Sequence, residues 1–299
     1  MRISVIVPHY NQEDYLHQCL ARLHTQQGCT AQIEIIVVDN ASMRVPDLIC
    51  AAFRGVLLLQ EHTPGPGPAR NTGAAAATGD VLAFIDADCH ADAGWLAAIE
   101  ARFASPSAQI IGGDVRVGYV DPEHPTFLEP YEAIYSYRNH AHIAEGFSGT
   151  GNLATRRAIL RHVGPFGGID IAEDRDWGLR AGALGYQTDY VPEMIVYHPA
   201  RKTFQELSQK WDRHIAHDYA ERTGTRVGKI KWLLRAVLVA VSPLIEVPTI
   251  LRSDRISGGR QRVMAFVCLC AIRLYRSKAM LSMFFRKTDQ AEASWRGRS

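Results

Sequence analysis

The stretch Val81-Leu82-Ala83-Phe84-Ile85-Asp86-Ala87-Asp88 decides the fold, because five apolar residues lead directly into two carboxylates. A short, continuous apolar run predicts a strand that is buried on both faces of a sheet. Two earlier runs end in the same way: Ile3–Val7 leads into Pro8-His9-Tyr10-Asn11, and Ile33–Val38 leads into Asp39. The carboxyl ends of parallel strands share one edge of a sheet, and ligands bind there. The sequence therefore predicts a site built from three strand ends.

Helical patterns separate these strands, and further strands follow. Alternating strands and helices predict an α/β fold, in which helices cover both faces of a mostly parallel sheet. The predicted helices are Glu13–Thr25, Ala69–Thr78 and a helix capped by Asp92 that runs to about Phe103; the further predicted strands are Val56–Leu59, Val115–Val120 and Tyr190–Tyr197, the last ending at His198.

Charge is distributed unevenly along the 299 residues. Residues 1–198 carry 13 arginines, no lysine and 23 acidic residues, a net charge of −10. Residues 199–299 carry 20 basic and 8 acidic residues, a net charge of +12. An acidic body with a basic tail indicates two different partners, one of them anionic.

The six cysteines have no regular spacing, which is typical of reduced thiols in a cytosolic protein.

The basic tail contains two apolar runs, Ala236–Ile245 and Val263–Ile272, with cations at 229–235 and 273–287. A helix that spans a bilayer needs about 20 predominantly apolar residues, and neither run reaches that length without a charge. Basic, apolar segments of this length suit the membrane interface. Two alternatives stay open: core helices that pack on the domain, and an oligomer contact.

The acidic triplet Asp86-Ala87-Asp88 suits a divalent metal. Carboxylates two residues apart at a strand end can share Mg²⁺ or Mn²⁺ and leave coordination positions for phosphate oxygens. The loop 65–71 runs into a helix start and offers Arg70 to a ribose or phosphate. The chain has no GxxxxGK[ST] loop, and no GxGxxG follows the first strand, which counts against an ATPase and a dehydrogenase.

Taken in order, seven segments resemble the inverting family-2 glycosyltransferases of the GT-A fold, over about residues 1–200. The segments are PHYNQ (8–12), VVDNAS (37–42), GPGPARNTG (65–73), FIDADC (84–89), GTGNLATRR (149–157), IAEDRDWGLRAGALGY (171–186) and VPEMIVYH (191–198). The resemblance implies a Rossmann-like, mostly parallel sheet flanked by helices, to which this chain adds a basic, amphipathic helical C-terminal segment.

The resemblance also implies roles for individual residues. The nucleotide sugar would be bound by Pro8, Tyr10, Asn11, Asp39, Arg70, Asp86, Ala87 and Asp88. Mn²⁺ or Mg²⁺ would be bound by Asp88 and His198, with Asp86 on the ribose or a metal-bound water. The donor sugar and acceptor would lie at Gly151, Asn152, Glu173 and Trp177, and the general base would be Asp174. For Trp177, packing in the core is the alternative to stacking on a sugar.

Two departures from the family pattern refine this interpretation. The family commonly has a second acid after Asp39, in Asp-Asp-Gly-Ser, whereas this chain has Asn40-Ala41-Ser42. The QxxRW motif of processive synthases is absent, which favours single addition over polymerisation.

The predicted domains are 1–225, with a nucleotide-binding half (1–105) and an acceptor-binding half (106–225), and the helical tail 226–299.

The sequence therefore predicts an inverting, metal-dependent glycosyltransferase of cell-envelope or exopolysaccharide synthesis. Its expected partners are a nucleotide-sugar donor such as a UDP-sugar, a glycan or lipid-linked acceptor and an anionic membrane surface, but no nucleic acid. Its expected location is cytoplasmic, attached peripherally to the inner face of the cell membrane. One alternative is a non-catalytic, membrane-tethered binding protein, against which the retained Asp86, Asp88 and Asp174 speak. The other is a sugar nucleotidyltransferase, which would need a basic, glycine-rich loop after the first strand.

Overall fold

The computed structural model describes residues 1–223 and 225–285, so the end of the predicted tail, including Arg286 and Lys287, lies outside the described residues. The chain divides into two compact units. The first, here called the sheet unit, comprises Met1–Gly118 and Tyr137–Pro199. The second, the helical unit, comprises Tyr119–Ser136 and the chain from Ala200 onward.

The sheet unit contains eight strands, which together form one sheet. The strands are β1 (Arg2–His9), β2 (Gln32–Asp39), β3 (Val56–Gln60), β4 (Val81–Ile85), β5 (His90–Ala91), β6 (Ile110–Gly118), β7 (Asn152–Arg156) and β8 (Thr188–Pro199). The helices of this unit are α1 (Glu13–His24), α2 (Asp47–Ala51), α3 (Pro66–Ala76), α4 (Trp95–Phe103), α6 (Asn139–Ala144), α7 (Arg157–Val163) and α8 (Glu173–Ala183).

The strand order is β3-β2-β1-β4-β7-β6-β8-β5. The strands β3, β2, β1 and β4 are parallel to their neighbours, whereas β7 runs antiparallel to both β4 and β6. Because β6 and β8 are parallel to each other, both run in the direction of β4. The carboxyl ends of β1, β2, β4 and β8 therefore meet the amino end of β7 at one edge of the sheet.

Apolar side chains from both faces of the sheet form the core. Ile3, Val5 and Ile85 pack on one face with α1 and α4, while Ile6 and Phe84 pack on the other with α7 and α8. Such two-sided burial explains why these strands read as continuous apolar runs rather than alternating ones. The predicted α/β architecture, with a mostly parallel sheet flanked by helices, is confirmed.

Several element boundaries differ from the sequence prediction. The strand β6 begins at Ile110 rather than Val115, and it passes through Gly112-Gly113, which on its own resembles a turn. The helix α3 begins at Pro66 rather than Ala69, because proline is well tolerated in the first turn of a helix. The sequence reasoning did not identify β7, whose five residues include two polar side chains that are buried.

The helical unit consists of α5 (Glu129–Tyr135), α9 (Phe204–Arg222), α10 (Arg226–Val241), a short 3₁₀ helix (Ser242–Leu244), α11 (Val247–Arg252) and α12 (Gly258–Phe285). Trp232, Ala236 and Met280 lie in its core, where the Trp232 indole donates a hydrogen bond to the Met280 carbonyl at 3.0 Å. The buried Glu132 of α5 pairs with Arg201, which joins the segment 119–136 to the later helices. The unit boundaries therefore differ from the predicted division at residue 225.

The two apolar runs of the tail have different surroundings. In the run Val263–Ile272, the side chains of Ala265, Cys268, Leu269 and Ile272 are all buried. This run belongs to α12, whose buried side is that of the core-helix alternative, while Val263 and Val267 of the same run are exposed. Across residues 1–223 and 225–285, no helix combines the length and apolar character needed to cross a membrane.

The close contact of β6 with β8 gives the first testable prediction. A Cβ atom at Gly113 would collide with the Met194 carbonyl oxygen and the Asn152 amide nitrogen, and neither can move freely in the sheet. Gly113→Ala is therefore expected to lower the free energy of unfolding by at least about 2 kcal/mol, measured by urea denaturation. Gly182→Ala is the control, because no described atom lies within 4 Å of its added Cβ; it should be neutral or stabilise α8 by about 0.5–1 kcal/mol. Equal stability of the two variants would contradict this account.

Candidate functional site

Five chain segments converge at the edge described above. In the parallel register, His9 at the end of β1 lies opposite Asp39 at the end of β2. In the antiparallel register, Ile85 at the end of β4 lies opposite Asn152 at the start of β7, so Asp86 and Gly151 are brought together. The predicted polar strand ends therefore lie at one site, all of it within the sheet unit.

Asp39 is held in place by hydrogen bonds. Its carboxylate is 2% exposed and lies 3.0 Å from Nδ1 of the buried His9, while the Ser42 backbone N–H donates to its other oxygen at 3.3 Å. The Gln12 backbone N–H donates to Nε2 of His9, so the ring proton is on Nδ1 and is donated to Asp39. His9 thus fixes the orientation of the Asp39 carboxylate.

The turn after β2 completes this corner of the site. Ala41 has a φ of 60°, a left-handed conformation that glycine adopts without strain and that an alanine rarely adopts. Asn11, whose φ is 51°, accepts a hydrogen bond from the Met43 N–H and donates its own N–H to Ser42. Beside it, Pro8 is buried and Tyr10 is 59% exposed, which leaves the Tyr10 ring available for a ligand.

The buried Arg70 lies between two carboxylates. One guanidinium nitrogen donates to Asp86 at 2.7 Å and the other to Glu173 at 2.8 Å, while the Arg70 side chain is only 3% exposed. Both terminal nitrogens are therefore engaged by protein groups. The Nε–H of Arg70 is also buried and has no hydrogen-bond partner among the described residues. The guanidinium joins the end of β4 to the start of α8.

A second cluster lies around Asp88. Its carboxylate is 3.6 Å from Nε2 of His198 at the end of β8 and 3.4 Å from the Gln12 side-chain amide. Nδ1 of His198 lies 2.8 Å from the Pro199 carbonyl, which can only accept, so Nδ1 carries a proton and Nε2 is the ring nitrogen that faces Asp88. Burial raises the pKa of Asp88, partly offset by the nearby His198, while Asp86 raises it further.

This cluster fits a divalent metal ion. Ligand atoms of Asp88, Cys89 and His198 all lie within 4.8 Å of one another. The hydrogen bond from Nδ1 to a backbone carbonyl is the outer contact that commonly orients a histidine ligand. A carboxylate and an imidazole nitrogen are ligands that Mn²⁺ accepts, while Asp86 remains close enough to act through water.

Asp174 lies in the first turn of α8, next to Glu173. Its Oδ1 accepts the N–H of Arg175 at 2.7 Å, and the side chain is partly exposed. Whereas Glu173 is engaged by a guanidinium, Asp174 has no such ion pair among the described residues. Of the two, Asp174 is therefore the carboxylate that is not held by an ion pair among the described residues.

Three residues predicted for the sugar and acceptor side have distinct surroundings. A Cβ at Gly151 would lie 2.6 Å from the Asp86 carboxylate, so the absence of a side chain permits this approach. Asn152 is fully buried and uses its amide on the Asp114 and Met194 carbonyls and the Trp95 indole, so it has no free group for a substrate. Trp177 is 1% exposed and donates to the Gly164 carbonyl, so core packing, not stacking on a sugar, explains it.

The sequence analysis placed His9 at a strand end of the site without a role of its own, and it did not identify Gln12 and Tyr137 as members of the site. His9 orients Asp39, Gln12 contacts Asp88, and the Tyr137 hydroxyl lies 2.9 Å from His198. The parallel register of two strands that both end in polar residues would have pointed to the pairing of His9 with Asp39. No sequence signal would have placed Tyr137, which is 61 residues from its partner.

Comparison with known proteins places these motifs in context. The model of glycosyl transferase family 2 matches residues 4–164. The glycosyltransferase AglE of Haloferax volcanii is 31% identical over 215 residues, which is 70% of each chain. The pre-mycofactocin glycosyltransferase of Mycobacterium tuberculosis is 27% identical over 216 residues, 68% of this chain and 44% of that protein.

Solved structures show the same fold. The mannosyltransferase PcManGT from Pyrobaculum calidifontis, solved with GDP-Man and Mn²⁺, has a TM-score of 0.55 at 18% identity, covering 99% of this chain and 79% of its own. TarS residues 1–349 from S. aureus, solved with UDP-GlcNAc, has a TM-score of 0.53 at 17% identity, covering 99% and 92%. The GT-A fold predicted from the sequence is confirmed.

The ion pairs of Arg70 give the second prediction. Arg70→Gln removes the charge that faces Asp86 and Glu173 and should lower the free energy of unfolding by about 2–3 kcal/mol. This is below the roughly 3–5 kcal/mol for a fully buried pair, because the Asp86 side chain is 35% exposed. Arg222→Gln is the control: its side chain is 57% exposed and lies 3.6 Å from Asp218, so its loss should cost under about 1 kcal/mol. Similar urea midpoints for the two variants would show that Arg70 does not stabilise the fold.

Proposed function

Because the chain belongs to glycosyl transferase family 2, we propose that it transfers a sugar from a nucleotide-sugar donor to an acceptor hydroxyl, with inversion and with a divalent metal. The observation that supports this proposal is the convergence of Asp39, Asp86, Asp88 and His198 at one edge of the sheet, with Asp174 next to Glu173, which Arg70 joins to Asp86. A glycosyltransferase needs a group at each of three positions: the nucleoside, the diphosphate and the acceptor hydroxyl. These five residues supply all three.

The nucleoside would bind at the ends of β1 and β2. The Asp39 carboxylate, oriented by His9, would accept hydrogen bonds from the base or ribose, and the exposed Tyr10 ring would pack against the base. Structures with the same fold hold UDP-GlcNAc and GDP-Man. Of these nucleotides, we propose a UDP-sugar as the donor, with Pro8, Asn11 and Ala87 shaping the pocket.

The diphosphate would bind beside Asp88. Asp88 and His198 would hold Mn²⁺ or Mg²⁺, which supplies a Lewis acid that neutralises the charge developing on the departing nucleoside diphosphate. Asp86, held by Arg70, would contact the ribose or a metal-bound water. Gly151 leaves space for the donor sugar next to Asp86.

The acceptor hydroxyl would be activated by Asp174. As the hydroxyl oxygen bonds to the anomeric carbon, the bond from that carbon to the diphosphate oxygen breaks, and the hydroxyl proton passes to the Asp174 carboxylate. Attack from the face opposite the leaving group inverts the configuration. The Glu173 carboxylate is engaged by the Arg70 guanidinium, whereas Asp174 has no ion pair among the described residues, which supports Asp174 as the base. Glu173 would instead position the start of α8.

We propose that the acceptor is a glycan or lipid-linked sugar of cell-envelope or exopolysaccharide synthesis, used at the cytoplasmic face of a membrane. The net charge of +12 after residue 198 supports a location beside anionic lipid. A non-catalytic binding protein is less well supported, because the carboxylate proposed as the base is retained. A nucleotidyltransferase is less well supported because Tyr10 and Asn11 occupy the place where a basic, glycine-rich loop would be expected.

The third prediction concerns the metal. Asp88→Ala should reduce sugar transfer below detection and abolish Mn²⁺ binding measured by electron paramagnetic resonance, because it removes a direct ligand. Chelation should stop the unaltered enzyme, and added Mn²⁺ should restore it. Asp92→Ala is the matched control, since Asp92 caps a nearby turn through the Gly94 N–H and should retain metal binding. Full activity in chelator would refute the metal assignment.

The fourth prediction concerns the base. Asp174→Asn keeps the size of the side chain but cannot take up a proton, so kcat should fall by at least about 10²-fold while the donor Kd changes little. Asp176→Asn is the control, because this residue of the same helix pairs with Arg180. If Asp174→Asn keeps a near-native kcat while Glu173→Gln loses it, the two roles are reversed.

A further inference from the structure

The helix α10 has two apolar faces, and only one of them packs in the core of the helical unit. Trp232, Ala236 and Val239 are buried on the inner face. The outer face carries six apolar side chains spaced three, four or one residue apart, each between 52% and 64% exposed: Val227, Ile230, Leu234, Val237, Leu238 and Val241. Residues with this spacing form one stripe along a helix. The stripe is not explained by packing within the described chain.

The stripe continues past the end of α10. Leu244 is 71% exposed and Ile245 is 79% exposed, and both follow in the short 3₁₀ turn and the residue after it. At 1.5 Å per residue, the 16 residues of α10 give a stripe about 24 Å long. Soluble monomers rarely expose contiguous apolar surfaces of this kind unless the surface binds something.

The charges around the stripe indicate the partner. Residues 222–245 contain five basic residues and no aspartate or glutamate. Lys229 and Lys231 on α10 are exposed, and so is Arg252 at the end of α11. An apolar face bordered by cations complements the acyl chains and the anionic headgroups of a lipid bilayer.

A second copy of the chain fits this surface less well. A two-fold contact would place the same patch on both partners, so the cations of one stripe would face those of the other. Like charges opposed in this way disfavour association. An anionic lipid surface has the opposite sign and no fixed shape to match.

We propose that the stripe Val227–Ile245 lies in the headgroup region of an anionic bilayer, with the axis of α10 parallel to the membrane surface. This inference rests on the proposed peripheral location and assigns the contact to one helix face. The buried side chains of the run Val263–Ile272 do not take part in this contact with the bilayer. Apolar insertion adds to the electrostatic attraction, so binding should persist in part when salt screens the charges.

Sedimentation with vesicles tests the proposal on the full-length chain. The variant Leu234→Glu/Leu238→Glu places two charges in the stripe, and the control Leu48→Glu/Leu184→Glu adds the same charge at exposed leucines of the sheet unit. With phosphatidylcholine–phosphatidylglycerol vesicles, the stripe variant should lose at least about tenfold in partitioning, whereas the control should match the unaltered chain. At about 0.5 M salt the unaltered chain should still bind measurably.

Three results would overturn the proposal. The unaltered chain could fail to bind vesicles, or the stripe variant could bind them equally well. The unaltered chain could also form a dimer that the stripe substitutions convert to a monomer without any change in vesicle binding. Metal-dependent release of nucleoside diphosphate from a soluble donor is measured in parallel. The stripe variant should keep this activity, so a failure of the proposed reaction is distinguished from a failure of membrane contact. Thermal unfolding of each variant confirms that the helical unit remains folded.

Discussion

The buried guanidinium of Arg70 is the interaction on which the site depends. A cation that is 3% exposed must be paired, and its two partners come from segments that are 16 and 103 residues away in the sequence. Because both ion pairs of the Arg70 guanidinium must form, the end of β4 and the start of α8 are held close to each other. The position of Asp174, the next residue after Glu173, follows from that constraint. The proposed nucleotide side and the proposed acceptor side are thereby connected through a single side chain of α3.

The sheet half with parallel strands could be predicted well from the sequence, and the physical reason is simple. The strands β1, β2 and β4 are buried on both faces, so each is a continuous apolar run that ends abruptly at polar residues. The second half is mixed in direction and less regular in pattern. The strand β7 contains Asn152 and Thr155, which are buried and polar, so hydrophobic periodicity does not reveal it. Its place between β4 and β6 depends on long-range pairing that a local pattern does not encode.

The candidate site could be predicted in part for a related reason. A sequence shows which polar residues end a strand, but it does not show whether their hydrogen-bonding groups are already used within the protein. The side chains of Asp86, Asp88 and His198 have protein partners but stay partly exposed at the edge, whereas the amide of the buried Asn152 is fully engaged by three groups of the core. The tail shows the same limit for apolar residues. Two similar runs were predicted to behave alike, yet one face of Val263–Ile272 is buried (Ala265, Cys268, Leu269 and Ile272), whereas the outer face of α10 is exposed.

The antiparallel insertion of β7 between β4 and β6 has a consequence for how the chain matures during synthesis. The strands β1, β2 and β4 are complete once residue 85 has been made, yet the edge beside Asp86 is closed only by Gly151, and His198 arrives last of all. Loop closure over such separations makes late pairing slow relative to local helix formation. A nascent chain therefore carries an open sheet edge and incompletely surrounded carboxylates until the segment around His198 has emerged from the ribosome.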